Sequence, residues 1–441
     1  MTIATIPEVA GLDARRGLVR IPPELDVPLT ARVRRLIDTV AFRRLAHISQ
    51  LGLVSLVYPA ALHTRFEHAL GVYRLALVYL KQLCHDERFT AAVSVADAEL
   101  FIVAALLHDI GHWPFCHPIE DIRLEDVFSH ERFAERFLAT GEIADALRED
   151  WGINPADVLA LLSEKPRNKK DRILASLLSG PIDVDKTDYL MRDSLHAGVP
   201  YGRNFDQGRL IGSLCLNEAG DALAIGEKGK TAAEMLVFAR YVMFSEVYWH
   251  HSVRAATAML QRAFFLLRGG LDLDLIFQHT DSQFIETLRR AADGTPASDL
   301  IGGLFGPTRR LYKRVAQYSF FEQRELYERL ARRPYPWLVA CAERFAEKAG
   351  AALGRPIPAA AILFDAPPVG REVEFNIDVC FLKERRYRTL GEVSPVVRTL
   401  AERQFDDYVK RVRIFAAPDV ADGLRSLAAL PRILEEAIEG V

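Results

Sequence analysis

Cysteine is scarce in this 441-residue chain: Cys84, Cys116, Cys215, Cys341 and Cys380 stand far apart, with no CxxC pair. That scatter argues for a reducing compartment and against a zinc–thiolate site. Long apolar runs are missing too. No stretch of about 18 uncharged apolar residues occurs, so no helix is expected to span a membrane. The start, Met1-Thr2-Ile3-Ala4-Thr5-Ile6-Pro7, has neither the basic flank nor the apolar core of a signal peptide. A cytoplasmic location is the expectation. An excess of one charge is also lacking: 56 Lys and Arg against 59 Asp and Glu leave a net charge of −3. Nothing global therefore indicates nucleic acid or an anionic membrane. The local basic runs (Arg309-Arg310, Lys313-Arg314, 165–172 and 383–388) read as solvated faces or loops.

What is present is an ordinary globular composition. Half of the residues are hydrophobic and 26% are charged, and the length allows one large lobe with appendages or two domains. Residues 1–29 read as an N-terminal arm with a short strand at Leu18-Val19-Arg20-Ile21. Thr30 caps a helix running to about Gln50, with Val33, Leu36, Ile37, Val40, Leu45 and Ile48 at helical spacing. A second helix, 65–84, places Arg65, His68 and Val72 on one face. Asp97 is read as the cap of a third. Its apolar run 101–107 delivers His108-Asp109 to its end, where Gly111 and Pro114 break it and His112 and His117 follow. A helix from His130 to Leu138 and short helices over 141–180 come next, around a polar loop at 163–171. On a helix over 181–193, Asp185, Tyr189 and Asp193 repeat every four residues with Lys186 beside them. Residues 221–228 alternate like an exposed strand, half of a small β-hairpin. The helical period returns over 231–265, with Arg240, Phe244 and Tyr248 on one face. Beyond about residue 290, short helices and strand-like segments at 360–364, 372–381 and 411–415 suggest a mixed α+β C-terminal lobe, punctuated by the Pro/Gly-rich stretch 354–370. The whole reads as mainly α.

Four residues stand out as metal donors: His68, His108, Asp109 and Asp185. A lone His on an apolar helix is usually a core residue, but an Arg one turn away is a poor neighbour for a merely buried imidazole. Two imidazoles and two carboxylates on three helices can hold one divalent ion, and Mn, Fe, Mg, Zn and Ni all fit. The charged face with Asp185 could also be a solvated one laced with ion pairs, although Val184 and Tyr189 sit among its charges. Arg65, Lys186 and Arg240 are three cations that are costly to gather unless an anion such as a polyphosphate neutralises them. Tyr189 adds a hydroxyl. His112, His117 and Glu120 supply acid–base groups. His130 serves the same role or is a capping or surface residue.

The order His68, His108-Asp109, Asp185 resembles the HD-domain metal-dependent phosphohydrolases. Three longer motifs resemble the deoxynucleoside triphosphate triphosphohydrolases within them: His63-Thr64-Arg65-Phe66-Glu67-His68-Ala69-Leu70-Gly71, His108-Asp109-Ile110-Gly111-His112-Trp113-Pro114-Phe115-Cys116-His117 and Asp183-Val184-Asp185-Lys186-Thr187-Asp188-Tyr189. The resemblance is to the branch with a SAM domain beside the HD domain, for which this chain has no room. It covers about 18–265, with a looser match at 408–418. It implies an HD-type helical catalytic domain, read over 30–290 and followed by the α+β lobe that the texture marks over 291–441. It also implies His68, His108, Asp109 and Asp185 as ligands of one divalent metal, with a second Mg on the substrate phosphates. Arg65, Lys186, Tyr189 and Arg240 would bind the triphosphate. His117 would protonate the leaving 5′ oxygen, oriented by Glu120, with His112 near the α-phosphate. Gln50 and Asp193 would face the 3′-hydroxyl, and Tyr248 would pack on the sugar. The reaction implied takes a dNTP to a deoxynucleoside and inorganic triphosphate.

The chain departs from the pattern at Ala46 and Arg43, where activated relatives carry an Arg and a Gln, though Asp38 is kept. Trp249 replaces a Gln that lies near the base, and the Asp-Pro-x-His-Gly motif is absent. Two other readings stay open: an HD phosphohydrolase acting on a nucleoside monophosphate, a cyclic nucleotide or another phosphate ester, and a nucleotide sensor without turnover. Surplus apolar helix surface suggests a homo-oligomer.

Overall fold

Capping residues decide where the site-bearing helices begin. The structure, a computed structural model, describes residues 2–163, 166, 168–368, 377–403 and 409–441. The expected strand start at 372–376, the end of the Pro/Gly-rich stretch, residue 408 of the looser match and part of the 165–172 run lie outside these. Thr64 accepts from the Glu67 N–H and starts the helix Arg65–Leu83. Ser94, not Asp97, caps the helix Val95–Leu107. Asp97 is the third residue of that helix and completes a capping box, its carboxylate accepting the Ser94 N–H at 3.1 Å. Asp183 caps the helix Val184–Ala197, which Gly198 closes in the left-handed region at φ 71°.

Two expected helices are interrupted. The one read from Thr30 to Gln50 stops at Ile37 and restarts as Val40–Arg44. Thr39 is the cause: its hydroxyl donates to the Leu36 carbonyl at 2.8 Å and accepts from the Phe42 N–H, so it ends one helix and caps the next. The helix read over 231–265 is Lys230–Met243, a wider π turn at Phe244–Tyr248, and then His251–Leu267. The extra residue in that turn rotates Tyr248 off the simple four-residue register with Arg240.

Strands are few. β1 (Leu18–Ile21) and β2 (Leu25–Pro28) form an antiparallel hairpin. β3 (Leu214–Leu216) and β4 (Leu223–Gly226) pair as the expected hairpin. The reading of β4 as exposed is overturned, since Leu223, Ala224 and Ile225 are all buried. It is an inner strand, paired in parallel with β7 (Asp378–Phe381), which in turn pairs with β8 (Arg386–Thr389). Alternation reports which side chains point each way but not that a second layer covers both faces. β5 (Lys313–Tyr318), β9 (Val412–Ala416) and β6 (Ile362–Asp365) make an antiparallel sheet of order β5-β9-β6. Against it lies the helix Tyr335–Leu353. The molecule is mainly helical. No helix among the described residues is long and apolar enough to cross a membrane.

Two apolar clusters organise these elements. The first joins the helices Arg65–Leu83, Val95–Leu107, Val184–Ala197 and Lys230–Met243, with Ile3, Ile6 and Val9 of the arm and Val379 of β7. The second joins His251–Leu267, Tyr335–Leu353 and the β5-β9-β6 sheet. The central motif straddles them. Leu106 and Leu107 belong to the first cluster, whereas Trp113, Phe115, Cys116 and Ile119 belong to the second. Trp113 stacks on Phe277 with centroids 4.2 Å apart, an aromatic pair worth about 0.5–1.5 kcal/mol beyond its burial. The break after Leu107 thus carries the chain from one core into the other.

Candidate active site

Two imidazoles converge at the end of the Val95–Leu107 helix. His68 Nδ1 donates to Asp188 Oδ2 at 2.9 Å, and His108 Nδ1 donates to the Ala105 carbonyl at 2.9 Å. These bonds turn both Nε2 atoms inward, 3.2 Å apart. Two bare nitrogen lone pairs repel at that distance, so the pair calls for a proton or a cation between them. Carboxylates surround the point. Asp185 Oδ1 is 3.0 Å from His68 Nε2 and 3.8 Å from His108 Nε2, and Asp109 Oδ1 is 3.4 Å from His108 Nε2. Donor atoms of His68, His108 and Asp185 all lie within 4.8 Å of one another. Asp109 stands at the edge of this group, with Oδ2 taken by Arg65 Nη1 at 2.7 Å. Desolvation pushes the His68 pKa down, but the bonds to Asp185 and Asp188 outweigh it and hold it up at about 10. The place selects positive charge, and a donor set of two nitrogens and two oxygens fits one divalent ion.

The acid–base groups form a second cluster alongside. Gly111 makes their packing possible: a Cβ there would lie 2.1 Å from the His130 carbonyl oxygen, so only glycine lets the His130 segment close on the motif. Arg44, which was not singled out from the sequence, clamps the same loop. Its Nη2 donates to the Ile110 and His112 carbonyls at 3.0 and 2.8 Å, and Nη1 to that of Phe277 at 3.2 Å. His112 is buried, and its ring lies 3.8 Å from that of His130 and 5.1 Å from that of His117. Desolvation and the nearby Arg65 hold it well below the usual imidazole range, so it is neutral. Its Nδ1 lies 3.0 Å from Asp109 Oδ1 but off the hydrogen-bond axis, and neither ring nitrogen has a hydrogen-bond partner among the described residues.

Glu120 does not orient His117 in the way read from the sequence. It is 3.7 Å from His117 Nδ1, beyond hydrogen-bond reach, and instead accepts both the backbone N–H and the ring Nδ1 of His130. The cap of the His130 helix is Ser129, which removes the capping role weighed for His130. Phe115, left-handed at φ 54°, turns the chain so that His117 is mostly exposed, with 60% of its side chain accessible.

The remaining candidates line two further sides. Lys186 Nζ meets Asp183 Oδ2 at 2.6 Å, and Arg240 lies over the Phe244 ring at 5.5 Å. Desolvation pushes the Tyr189 hydroxyl up to about 12 while the charges of Arg240 and Lys186 pull against it. On the other side, Asp193 takes His63 Nε2 on Oδ1 at 2.9 Å and the Tyr248 hydroxyl on Oδ2 at 2.6 Å. The Gln50 N–H donates to the His63 carbonyl, and Gln50 Oε1 is buried with no partner among the described residues. Trp249 donates Nε1 to the Arg411 carbonyl at 3.2 Å and lies under Arg254, so its polar group is spent on the β9 side. Asp188, Glu67, Arg192, His63 and His196 went unassigned from the sequence. The available signal was the four-residue spacing of Asp188 and Arg192, which matches an ion pair on a helix.

With this geometry in view, the relatives become informative. Residues 65–191 match the HD domain and residues 205–433 the HD associated region. An uncharacterized protein of Methanocaldococcus jannaschii is 30% identical over 383 residues, 85% of this chain and 74% of that protein. The deoxynucleoside triphosphate triphosphohydrolase SAMHD1 of Gallus gallus is 30% identical over 261 residues, 52% of this chain but only 42% of that protein. A hypothetical protein from Aquifex aeolicus superposes with a TM-score of 0.71 at 27% identity, covering 93% of this chain and 98% of that one. The chain therefore belongs to the HD superfamily of phosphohydrolases, in the group whose HD domain is followed by the HD associated region.

Proposed function

We propose that the protein hydrolyses dNTPs to a deoxynucleoside and inorganic triphosphate. The observation that carries this reading is the gathering of Lys186, Arg240 and Tyr189 next to Asp185, with Arg65 on the other side of the donor set at Asp109. Three cations near one donor set neutralise three phosphates better than one. The relative named as a deoxynucleoside triphosphate triphosphohydrolase adds support.

His68, His108, Asp109 and Asp185 would hold one divalent ion, Mn, Fe, Mg, Zn or Ni, with a second Mg arriving on the phosphates. Such an ion polarises a phosphoryl oxygen and lowers the pKa of water. The chain's own groups do the rest. Water adds to the α-phosphorus and the bond to the 5′ oxygen breaks, leaving all three phosphates together. His117, with an exposed side chain, donates a proton to that oxygen. Glu120 and His130 fix the floor beside it, and neutral His112 offers a nitrogen near the α-phosphate. Arg65, Lys186 and Arg240 hold the phosphate oxygens, with Tyr189 as a hydroxyl donor. Asp193, Gln50 and Tyr248 receive the sugar. The site as read is one for small nucleotides, with nothing addressed to nucleic acid or membrane. A homo-oligomer belongs to the same reading, since Val40, Leu62 and Leu382 are 78%, 65% and 79% exposed.

The test is to incubate the protein with each dNTP and NTP plus Mn or Mg and resolve the products by chromatography. Deoxynucleoside and triphosphate in equal amounts are expected. Monophosphate ester hydrolysis without dNTP turnover would favour the other phosphohydrolase reading, and binding without any product would favour the sensor.

A further inference from the structure

A line of buried and half-buried polar side chains runs from His68 of the donor set to Asp193. Asp188 Oδ2 accepts from His68 Nδ1 at 2.9 Å. Arg192 grips both oxygens of Asp188, Nε to Oδ2 and Nη2 to Oδ1, each at 2.8 Å. Its Nη1 donates to Glu67 Oε1 at 2.6 Å and to the Pro22 carbonyl at 3.2 Å. Glu67 Oε1 also takes His196 Nε2 at 2.9 Å. The His196 ring stacks on His63 with centroids 4.3 Å apart, and His63 Nε2 reaches Asp193 Oδ1. The Arg192 side chain is 2% exposed. Room for it is made by Gly71, where a Cβ would lie 2.1 Å from Asp188 Oδ1 and 2.3 Å from Arg192 Nη2.

Two carboxylates on one buried guanidinium are held by charge-assisted bonds in a fork that lysine cannot reproduce. Asp188, kept as an acceptor by Arg192, demands the proton on His68 Nδ1 and so leaves Nε2 bare for the ion. Glu67, kept in place by the same guanidinium, fixes His196 and through the stack His63, the partner of Asp193. We propose that Arg192 is a positioning residue that sets both ends of the pocket: the tautomer of His68 at the metal end and the aim of Asp193 at the sugar end. The sugar half rests on the dNTP reading, whereas the metal half stands apart from it.

The experiment compares wild type with Arg192→Lys and Arg192→Ala, first by the Mn2+ retained against a graded chelator and then by turnover of dNTP against NTP at saturating Mn2+. Metal affinity should fall about 10–100-fold in both variants, and discrimination between dNTP and NTP should narrow. Added guanidinium should restore part of the metal affinity of Arg192→Ala and leave wild type unchanged. A purely structural role would lower Tm while the folded fraction bound Mn2+ as wild type does, and that result overturns the inference. Should Arg192→Ala not fold, Asp188→Asn, with nearly the same shape, must show the same loss of metal; full affinity there overturns it as well. If the wild type turns over no dNTP, the substrate reading fails while the metal affinities still decide the role of Arg192.

Discussion

Glu120 holds His130 twice, accepting its backbone N–H at 2.7 Å and its ring Nδ1 at 3.0 Å. Desolvation works against both charges, yet the contact wins: the carboxyl is held far below its usual value, the bonds from His130 and the attraction of the nearby His117 overcoming burial, and the His130 imidazole is raised by Glu120.

A pH dependence of stability follows from that pair. His130 titrates above its ordinary 6.5, so its contribution is complete below pH 6.5 and is lost as pH rises through the raised value. Glu120 titrates below its ordinary 4.5, so its contribution is complete above pH 4.5 and is lost only as pH falls through the depressed value. The Tm gap between wild type and His130→Gln should be widest between these limits and shrink as pH rises through the raised His130 value. A gap that stays flat across the range in thermal melts would show that the pair is not an ion pair.

His117→Ala should lose turnover by about 10²–10⁴ while metal and nucleotide binding persist. Its side chain is 60% exposed, so truncation removes little packing. Single-turnover kinetics beside a nucleotide binding titration check this. Turnover near wild type would remove His117 from the proton transfer.

Arg240→Ala and Arg65→Ala should behave differently. Losing a charge-assisted contact of about 1.5–3 kcal/mol, Arg240→Ala should depress kcat/KM for a triphosphate far more than for a monophosphate ester. Arg65→Ala should impair both substrates, because Asp109 Oδ2 loses its 2.7 Å partner beside the metal donors. Equal losses from Arg240→Ala on both substrates would mark that arginine as structural.

Asp185→Ala should abolish metal retention and turnover with the helical circular dichroism unchanged. Asp185 is one-third exposed and faces the two imidazoles, and the cap of its helix is Asp183, two residues earlier. Stripping the metal from wild type should lower Tm, and added Mn2+ should restore it by mass action. Full metal occupancy in Asp185→Ala, measured by elemental analysis, would displace Asp185 from the ligand set.

Much of the architecture was legible in the residues alone. The apolar spacing over about 65–84 and the apolar run 101–107 marked two buried helices, and the order of His68, His108-Asp109 and Asp185 singled out the groups that the structure brings within a few ångströms. Such signals are local, because the helical period is intrinsic to the backbone and sets which residues share a face. The interruption at Thr39 was also local, but a hydroxyl that can donate backward and accept forward leaves no trace in the apolar pattern.

Tertiary structure decided the partners. Glu120 lies three residues from His117 and ten from His130, yet it bonds to the more distant one, because Gly111 lets the His130 segment close against the motif. β4 becomes an inner strand only because β7 arrives from more than 150 residues later in the chain. Arg192 could be paired with Asp188 from spacing, but not with Glu67, which sits on another helix. Sequence sets the face on which a polar group stands. Its partner depends on how each helix rolls to bury its whole apolar stripe, a balance struck among all the packed elements at once.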